Sequence, residues 1–221
     1  MTNLERMDRG LLYISDDEIF EVQKRARRLT QKFNTMDRAD FDGLREVAKE
    51  LLGKSDNCFI NPPFYCDYGD RIEVGKETFI NYNCTILDTA PVKIGDYVQI
   101  APNVSIYTAG HPVHPATRNT LYEYGVGVTI GNNVWIGGNV VICPGVTIGD
   151  CSVIGAGSVV TGDIPAWSVA AGNPCRVIRA ITEEDREFYF RRVHADPEAL
   201  AQMHRSWETS EDPVRYPTAP Q

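Results

Sequence analysis

Positive charge is scarce in this sequence. Its 221 residues include 22 Lys and Arg against 30 Asp and Glu, which gives a formal net charge of −8. A nucleic-acid partner would require a basic surface that neutralises phosphates, so this balance argues against one. The chain also lacks an apolar run long enough to span a membrane, and residues 1–9 contain no apolar core of a signal peptide. These absences predict a soluble, cytoplasmic protein that binds neither membranes nor nucleic acids.

Metal-binding and disulfide patterns are also missing. The six cysteines, at positions 58, 66, 84, 143, 151 and 175, include no C-x-x-C pair, and no matching pair of histidines accompanies them. This spacing favours free thiols in a reducing compartment over disulfides or a zinc site. We therefore expect no metal.

A six-residue repeat runs through residues 130–165. Each hexad opens with an aliphatic residue, and these are Ile130, Ile136, Ile142, Ile148, Ile154 and Val160. A period of six is typical of neither a helix nor a plain strand, but it fits a chain that makes a short strand, turns and repeats. Three such strands close one coil, whose opening side chains point inwards and stack. The Gly that often follows is expected to allow a sharp corner. The pattern predicts a mainly β fold, a parallel β-helix.

The repeat is less regular before residue 130. It is present from 59 to 106, with a slip of two residues around 89–93, and it stops over residues 107–128. A loop of this length inside a regular solenoid costs ordering entropy and is more often functional than decorative. Both His111 and His114 lie in it.

Helices are predicted before the coil. Residues 15–33 have an amphipathic pattern, with Ser15 and Glu18 at capping-box spacing. Residues 42–52 form a second predicted helix, which Gly53 ends. Together they make an N-terminal helical segment over residues 5–58, ahead of a β-helix over residues 59–180.

A C-terminal extension, residues 181–221, follows the coil. Helices are expected from Thr182 and after Asp196, where Asp196 would be the N-cap and Pro197 the first helical residue. Residues 209–221 are rich in Pro, Ser, Thr and acid, so we expect a disordered tail there.

Several motifs follow the helical cap in one order. They are CDYG at 66–69, AGHPVHP at 109–115, IGNNVWIG at 130–137 and AGNPCR at 171–176. This set resembles the maltose/galactoside O-acetyltransferases of the hexapeptide-repeat superfamily, closest to the maltose branch, over about residues 5–182. The resemblance implies a left-handed parallel β-helix, a homotrimer with active sites between neighbouring subunits, and acetyl-CoA as co-substrate.

Acetyl transfer to a sugar hydroxyl requires a base, because the hydroxyl must lose its proton as the new C–O bond forms. Imidazole is suited to that work at neutral pH. By resemblance His111 is the general base; His114 is the competitor, with a solvated loop position or a substrate contact as its other possible roles. The sequence shows no covalent nucleophile with a plausible partner, so direct transfer within a ternary complex is expected.

The same resemblance implies the binding residues. For the acceptor sugar these are Asp67, Asn81, Asp88 and Glu123. The galactoside branch has Ser at the position of Asp67 and two acids at Asp88–Thr89, so glucose or maltose is the favoured acceptor. For coenzyme A, small residues at coil corners and positive charge near the nucleotide phosphates are implied. They are Gly138, Ala156, Thr161, Gly162, Arg176 and Arg179.

Other functions stay open at this level. An antibiotic or other small-molecule O-acetyltransferase of the same fold would differ at only a few acceptor-binding side chains. A β-helical zinc carbonic anhydrase would need three His ligands, and only His111 and His114 lie near the coil. A non-enzymatic hexapeptide scaffold would have no reason to keep a His-Pro loop together with an Arg-bearing end.

Overall fold

The computed structural model describes residues 1–191 and 193–220. In this part of the chain, helices flank a solenoid of short strands. The α-helices are α1 (Asn3–Asp8), α2 (Asp17–Thr35), α3 (Phe41–Leu51), α4 (Pro115–Arg118) and α5 (Pro197–Thr209), and a 3-10 helix, η1, spans Glu183–Glu187. None of the helices among the described residues has the length and apolar composition required to cross a membrane.

The solenoid strands stack into three sheets, numbered here I to III. Sheet I contains β1 (Lys54–Ser55), β4 (Ile72–Val74), β7 (Val92–Ile94), β12 (Val128–Ile130) and β15 (Thr147–Ile148). Sheet II contains β2 (Phe59–Ile60), β5 (Phe79–Ile80), β8 (Gln99–Ile100), β13 (Trp135–Ile136), β16 (Val153–Ile154), β18 (Ser168–Ala171) and the antiparallel β19 (Arg176–Ala180). Sheet III contains β3 (Phe64–Cys66), β6 (Cys84–Leu87), β9 (Ser105–Tyr107), β14 (Val141–Ile142) and β17 (Val159–Val160). Two hairpins stand apart, β10 (Ala109–Gly110) with β11 (Tyr124–Gly125) and β20 (Phe188–Phe190) with β21 (Val193–His194).

The chain passes from sheet I to sheet II to sheet III, and each circuit is one coil. Ile130 pairs in parallel with Ile148, and Ile136 pairs with Ile154, so each strand pairs with its equivalent in the next coil. The six residues that open the hexads are 0 or 1% exposed. The predicted parallel β-helix is therefore confirmed, and its core is the stack of inward aliphatic side chains.

The corners of the coils differ from the sequence prediction. The backbone turns at the fourth residue of a hexad, where Asn133 and Asn139 have φ of 57° and 59°. Asn tolerates this left-handed region better than most residues do. The glycine at the second position, such as Gly131, lies outside that region, and a Cβ there would overlap Asp150 Oδ1 of the next coil. Its role is close stacking of coils rather than the corner itself.

The N-terminal helices cover the first coils. Helix α2 buries Ala26, Leu29 and Phe33 in the same core that continues into the β-helix. Its N-cap is Asp16, whose carboxylate accepts a hydrogen bond from the Ile19 N–H, so the expected Ser15 capping box is wrong. The carboxylate of Asp16 outcompetes the Ser15 hydroxyl for the free N–H groups, which leaves that hydroxyl available elsewhere.

The C-terminal extension is less helical than expected. The short η1 and the β20–β21 hairpin occupy the region where a helix from Thr182 was predicted. Helix α5 begins where the sequence placed it, with the Asp196 carboxylate accepting from the N–H groups of Glu198 and Ala199. Arg192 and Gln221, which belong to this extension, lie outside the described residues.

The tail, expected to be disordered, lies along the corner between sheets I and II. Asp212 accepts hydrogen bonds from Lys76 Nζ at 2.8 Å and from the Tyr97 hydroxyl at 2.6 Å. The Val214 carbonyl accepts from Asn133, and Ala219 is only 5% exposed. Polar composition predicted disorder, but these polar groups find partners on successive coils.

Candidate active site

A cleft of about 480 Å³ lies between the inserted loop and the N-terminal segment. It is lined by Ile14, Ser15, Phe20, His111, Arg118, Asn119, Leu121 and Glu123. His111 and Glu123 were both predicted as site residues, and the structure brings them to the same cleft. A histidine among polar side chains is the arrangement that general acid–base catalysis requires.

The inserted loop leaves the coil after β9 in sheet III and returns at β12 in sheet I. At its base, β10 and β11 pair antiparallel, with Gly110 opposite Tyr124. A Cβ on Gly110 would lie 2.5 Å from the Tyr124 ring, so only glycine permits this packing. Gly110 and Tyr124 therefore set the direction in which His111 leaves the hairpin. Sequence reasoning missed both residues, although the glycine immediately before His111 was a visible signal.

The N-terminal segment holds the other end of the loop. Tyr13 and Glu123 exchange backbone hydrogen bonds of 3.1 and 2.9 Å. The Ser15 hydroxyl donates to a carboxylate oxygen of Glu123. Tyr13 is 1% exposed, and burial, reinforced by the charge of Glu123, raises the pKa of its phenol, which therefore stays neutral. The cap thus anchors Glu123, and one of its oxygens is already used by Ser15.

The two loop histidines have different surroundings. His114 Nδ1 accepts a hydrogen bond of 3.2 Å from the Ala116 N–H and caps the short helix α4. At the end of that helix, Arg118 donates to the carbonyls of Pro112 at 3.3 Å and Val113 at 2.8 Å. His114 therefore helps to build the loop, whereas His111 is exposed and lines the cleft.

Asp88 is buried and is not among the residues that line the cleft. The residue is 0% exposed, and its carboxylate accepts hydrogen bonds from three successive N–H groups, those of Asp67, Tyr68 and Gly69. Burial raises the pKa of Asp88, while these three bonds lower it. The expected contact between Asp88 and an acceptor does not fit this environment, because its oxygens face the backbone.

Asp67 is half-buried at the corner between sheets III and I. Burial and the negative charge of Asp88 raise the pKa of its carboxyl to about 6. The positive charge of Arg27 lowers that pKa, and Glu123 raises it further. Glu123 is thus the cleft residue whose charge acts on Asp67, which is not itself among the residues that line the cleft.

Part of the predicted set lies at another corner. Asn81, Gly138 and Ala156 follow β5, β13 and β16, and so they belong to the corner between sheets II and III. The Asn81 side-chain oxygen accepts from the Tyr82 N–H at 2.8 Å. The nearest atom to a Cβ built on Gly138 would be the Pro102 carbonyl oxygen at 3.3 Å. This is a tight contact, and Gly138 is half-buried, whereas Ala156 at the same corner is exposed.

Thr161 and Gly162 lie at the corner between sheets III and I, after β17. A Cβ built on Gly162 would meet no heavy atom of the described residues within 4 Å. Both residues are exposed. Two corners thus carry the residues expected to bind coenzyme A, and among them Ala156, Thr161 and Gly162 are exposed.

Arg176 and Arg179 lie on β19, and both are exposed. Arg179 donates to both carboxylate oxygens of Asp185, at 2.8 and 2.9 Å, and this pairing lowers the pKa of Asp185. Arg176 donates to the Cys175 carbonyl. A cavity of about 460 Å³ adjoins this region and is lined by Arg179, Phe188 and Arg191 among others. An anion at Arg179 would therefore compete with, or share, the Asp185 pairing.

No metal centre is evident in the part of the chain that the structure describes. Among residues 1–191 and 193–220, no group of three or more His, Cys, Asp or Glu side chains is arranged to hold a metal ion. All six cysteines are free thiols.

Two known protein families match parts of this chain, one in the β-helix and one in the N-terminal helical segment. Residues 127–162 match the bacterial transferase hexapeptide family of six repeats. Residues 6–56 match the maltose acetyltransferase hexapeptide capping motif.

Individual relatives cover most of the chain. The galactoside O-acetyltransferase of Escherichia coli K12 is 46% identical over 193 residues, which are 86% of this chain and 95% of the relative. A crystal structure of a maltose O-acetyltransferase from Clostridium difficile 630 has a TM-score of 0.81 at 46% identity, covering 83% of this chain and 99% of that one. A galactoside acetyltransferase in complex with coenzyme A has a TM-score of 0.85 at 44% identity, covering 89% and 99%. The chain therefore belongs to the maltose/galactoside O-acetyltransferase family of hexapeptide-repeat proteins, and it is an acyltransferase.

Proposed function

We propose that this enzyme transfers the acetyl group of acetyl-CoA to a hydroxyl of glucose or maltose, with His111 as general base. The observation that carries the proposal is the cleft in which His111 lies among Ser15, Asn119 and Glu123. These polar side chains can replace water at sugar hydroxyls. Solved relatives are named as a maltose O-acetyltransferase and as a galactoside acetyltransferase bound to coenzyme A, which supports the donor and the acceptor class.

The proposed reaction is a direct transfer. The acceptor hydroxyl gives its proton to His111 as its oxygen attacks the thioester carbonyl, and the thiolate of coenzyme A leaves. Holding both substrates together supplies the entropic part of the acceleration. The Gly137 N–H already donates to the Ile154 carbonyl, so at this glycine-rich corner the backbone N–H of Gly138 would be the donor to the oxyanion. The small residues Gly138, Ala156 and Gly162 would accommodate the pantetheine arm, and Arg176 and Arg179 would lie near the nucleotide phosphates.

The proposal includes a homotrimer. His111 and Asp67 belong to the corner between sheets III and I, whereas Asn81, Gly138 and Ala156 belong to the corner between sheets II and III. A second copy that sets its sheet II–III corner against the inserted loop would bring both groups into one site. Light scattering should give three times the 24.7 kDa chain mass for the active species. An active species of one-chain mass would contradict this part of the proposal.

An acceptor panel tests the function. Thiol release from acetyl-CoA would be followed with glucose, maltose, galactosides and an aminoglycoside, all in one buffer. We expect transfer to glucose or maltose above the other acceptors. Transfer to the antibiotic alone would favour the alternative acceptor class, and no transfer to any of them would overturn the proposal.

The variant Asp67→Ser tests the acceptor contact. A buried carboxylate that loses its hydrogen-bonding partner costs about 1–3 kcal/mol, so the carboxylate should matter to the sugar it binds. We expect the KM for glucose or maltose to rise several-fold while the KM for acetyl-CoA stays unchanged. A parallel loss of activity towards every acceptor, together with lower thermal stability, would assign Asp67 to the turn instead.

A further inference from the structure

Asp88 is a buried carboxylate whose oxygens are directed at the backbone of another coil. It follows β6, and its Oδ1 accepts from the N–H groups of Asp67 at 2.9 Å and Tyr68 at 3.0 Å. Its Oδ2 accepts from Gly69 N–H at 2.6 Å. Three consecutive N–H groups around one anion form a preorganised concave site. Because Asp88 is 0% exposed, an acceptor in the cleft cannot reach it directly.

The segment that Asp88 binds has little freedom. Gly69 has φ of 78°, and a Cβ there would lie 2.5 Å from the Leu51 carbonyl oxygen, so glycine alone fits. Tyr68 is 3% exposed, and its hydroxyl accepts from Gln23 at 3.2 Å. The backbone of residues 67–69 is therefore fixed by the packing of Tyr68 and Gly69 as well as by the hydrogen bonds to the Asp88 carboxylate.

Asp67 is the first residue of this held segment and the one predicted to contact the acceptor. Charged groups from three different elements act on the pKa of its carboxyl: Asp88 after β6, Arg27 on α2 and Glu123 in the inserted loop. Burial and Asp88 favour the protonated form, and Arg27 opposes them. Asp88 thus acts on Asp67 both through backbone geometry and through charge.

We propose that Asp88 is a positioning residue for acceptor binding, which holds the 67–69 segment and thereby directs the Asp67 carboxyl towards the acceptor. This inference rests on the proposed function, because it assumes that Asp67 contacts the acceptor. Asp88 acts on acceptor affinity only through Asp67, so its effect disappears when the Asp67 carboxyl is absent. Acetyl-CoA binding should not change, because the hydrogen-bond partners of Asp88, residues 67–69, are not among the residues expected to bind it.

The kinetic test uses Asp88→Asn, Asp67→Asn and the double variant. Asp88→Asn replaces one acceptor oxygen by an amide donor. With the amide oxygen at the Oδ1 position, the Asp67 and Tyr68 N–H groups keep their acceptor and the Gly69 N–H loses its own. We expect the acceptor KM to rise about tenfold in each single variant, equivalent to about 1.4 kcal/mol, and no further in the double variant, because the two residues act as one unit. The acetyl-CoA KM should stay within about twofold.

Asp96→Asn is the matched control. The Asp96 carboxylate accepts from the Lys76 N–H at 2.9 Å, at the corner between sheets I and II and away from the cleft. The Asp96→Asn variant should lose stability, as Asp88→Asn does, but should keep the wild-type KM for the acceptor. Additive effects of Asp67→Asn and Asp88→Asn, or equal rises in both KM values in Asp88→Asn, would overturn the proposal.

A second measurement does not depend on activity. The carbon-13 shift of the Asp67 carboxyl, assigned by its loss in Asp67→Asn, would be followed against pH in the wild-type protein. A midpoint of about 6 is expected, and it should move lower in Asp88→Asn because a neighbouring negative charge is removed. An Asp67 midpoint that is the same in the wild type and in Asp88→Asn would overturn the inference. Absence of acetyl transfer with a midpoint of about 6 would refute the proposed function alone.

Discussion

The regular coils and the inserted loop are held together in different ways. In the coils, Ile130, Ile136 and Ile148 are 0 or 1% exposed, and each strand bonds to its equivalents above and below. In the loop, most residues from His111 to Leu121 are exposed. The loop depends instead on a few contacts, chiefly the Tyr13–Glu123 backbone pair and the Gly110–Tyr124 packing.

This difference implies that the coils determine the stability of the protein and that the loop determines its catalytic activity. A solenoid gains stability from neighbours that repeat, so each coil supports the next. The loop lies outside that repetition and depends on contacts with the N-terminal segment, which in turn packs on the coils. Substitutions in the coil should therefore change stability, and substitutions in the loop should change turnover.

The largest expected effect is in the loop. The variant His111→Ala should lower turnover by about 10²–10⁴-fold, because a general base contributes on that order. Since His111 is exposed, the thermal unfolding midpoint should stay at the wild-type value. Steady-state kinetics would measure the turnover, and calorimetry would measure the unfolding midpoint. His114→Ala serves as the control and should be milder; a larger effect there than at His111 would reverse the assignment of the base.

The coil should show the opposite behaviour. Ile148→Ala removes a side chain that is 0% exposed, and such truncations cost about 2–5 kcal/mol. Urea unfolding would measure this loss, and KM values of the remaining folded enzyme should not change. The neighbouring Thr147→Ala, on the exposed side of the same strand, should stay within about 0.5 kcal/mol. Equal costs at the two positions would contradict the inward stack.

Two glycines sharpen the comparison inside the coil. Gly137→Ala would place a Cβ 2.6 Å from the Ala156 backbone nitrogen, so the coils must separate, at about 1–3 kcal/mol. Gly162→Ala would place its Cβ in open space and should leave the melting temperature unchanged. If Gly162 borders the pantetheine arm, the KM for acetyl-CoA should rise in that variant. Loss of stability at Gly162 would show that its corner is packed.

The smallest expected effect is at the junction of cap and loop. Ser15→Ala removes the hydrogen bond to Glu123, which contributes about 0.5–1.5 kcal/mol to loop placement. We expect kcat/KM to fall several-fold with the overall melting temperature unchanged. Amide hydrogen exchange should become faster in the loop and stay constant in the coils. Faster exchange throughout the protein would mean that the cap stabilises the whole fold instead.

Local patterns identified much of this architecture. The hexad period predicted the coil because each inward residue repeats at a constant spacing, and Asp196–Pro197 marked the start of α5 because capping is decided by adjacent residues. The choice of Asp16 over Ser15 as N-cap was harder, since both residues have a suitable side chain. The contacts of Asp212 were out of reach, because Lys76 and Tyr97 lie 136 and 115 positions away in sequence.

The sequence by itself determined the β-helix, the interruption at residues 107–128 and the histidine within it, because these depend on spacing along the chain. Only the tertiary structure showed that the Asp88 carboxylate accepts hydrogen bonds from the backbone of residues 67–69. Its three N–H donors come from a preceding coil, 19 to 21 positions earlier in the sequence. The residues next to Asp88 therefore do not predict them. A carboxylate's role depends on which donors surround it, and stacking of coils supplies donors that linear spacing does not show.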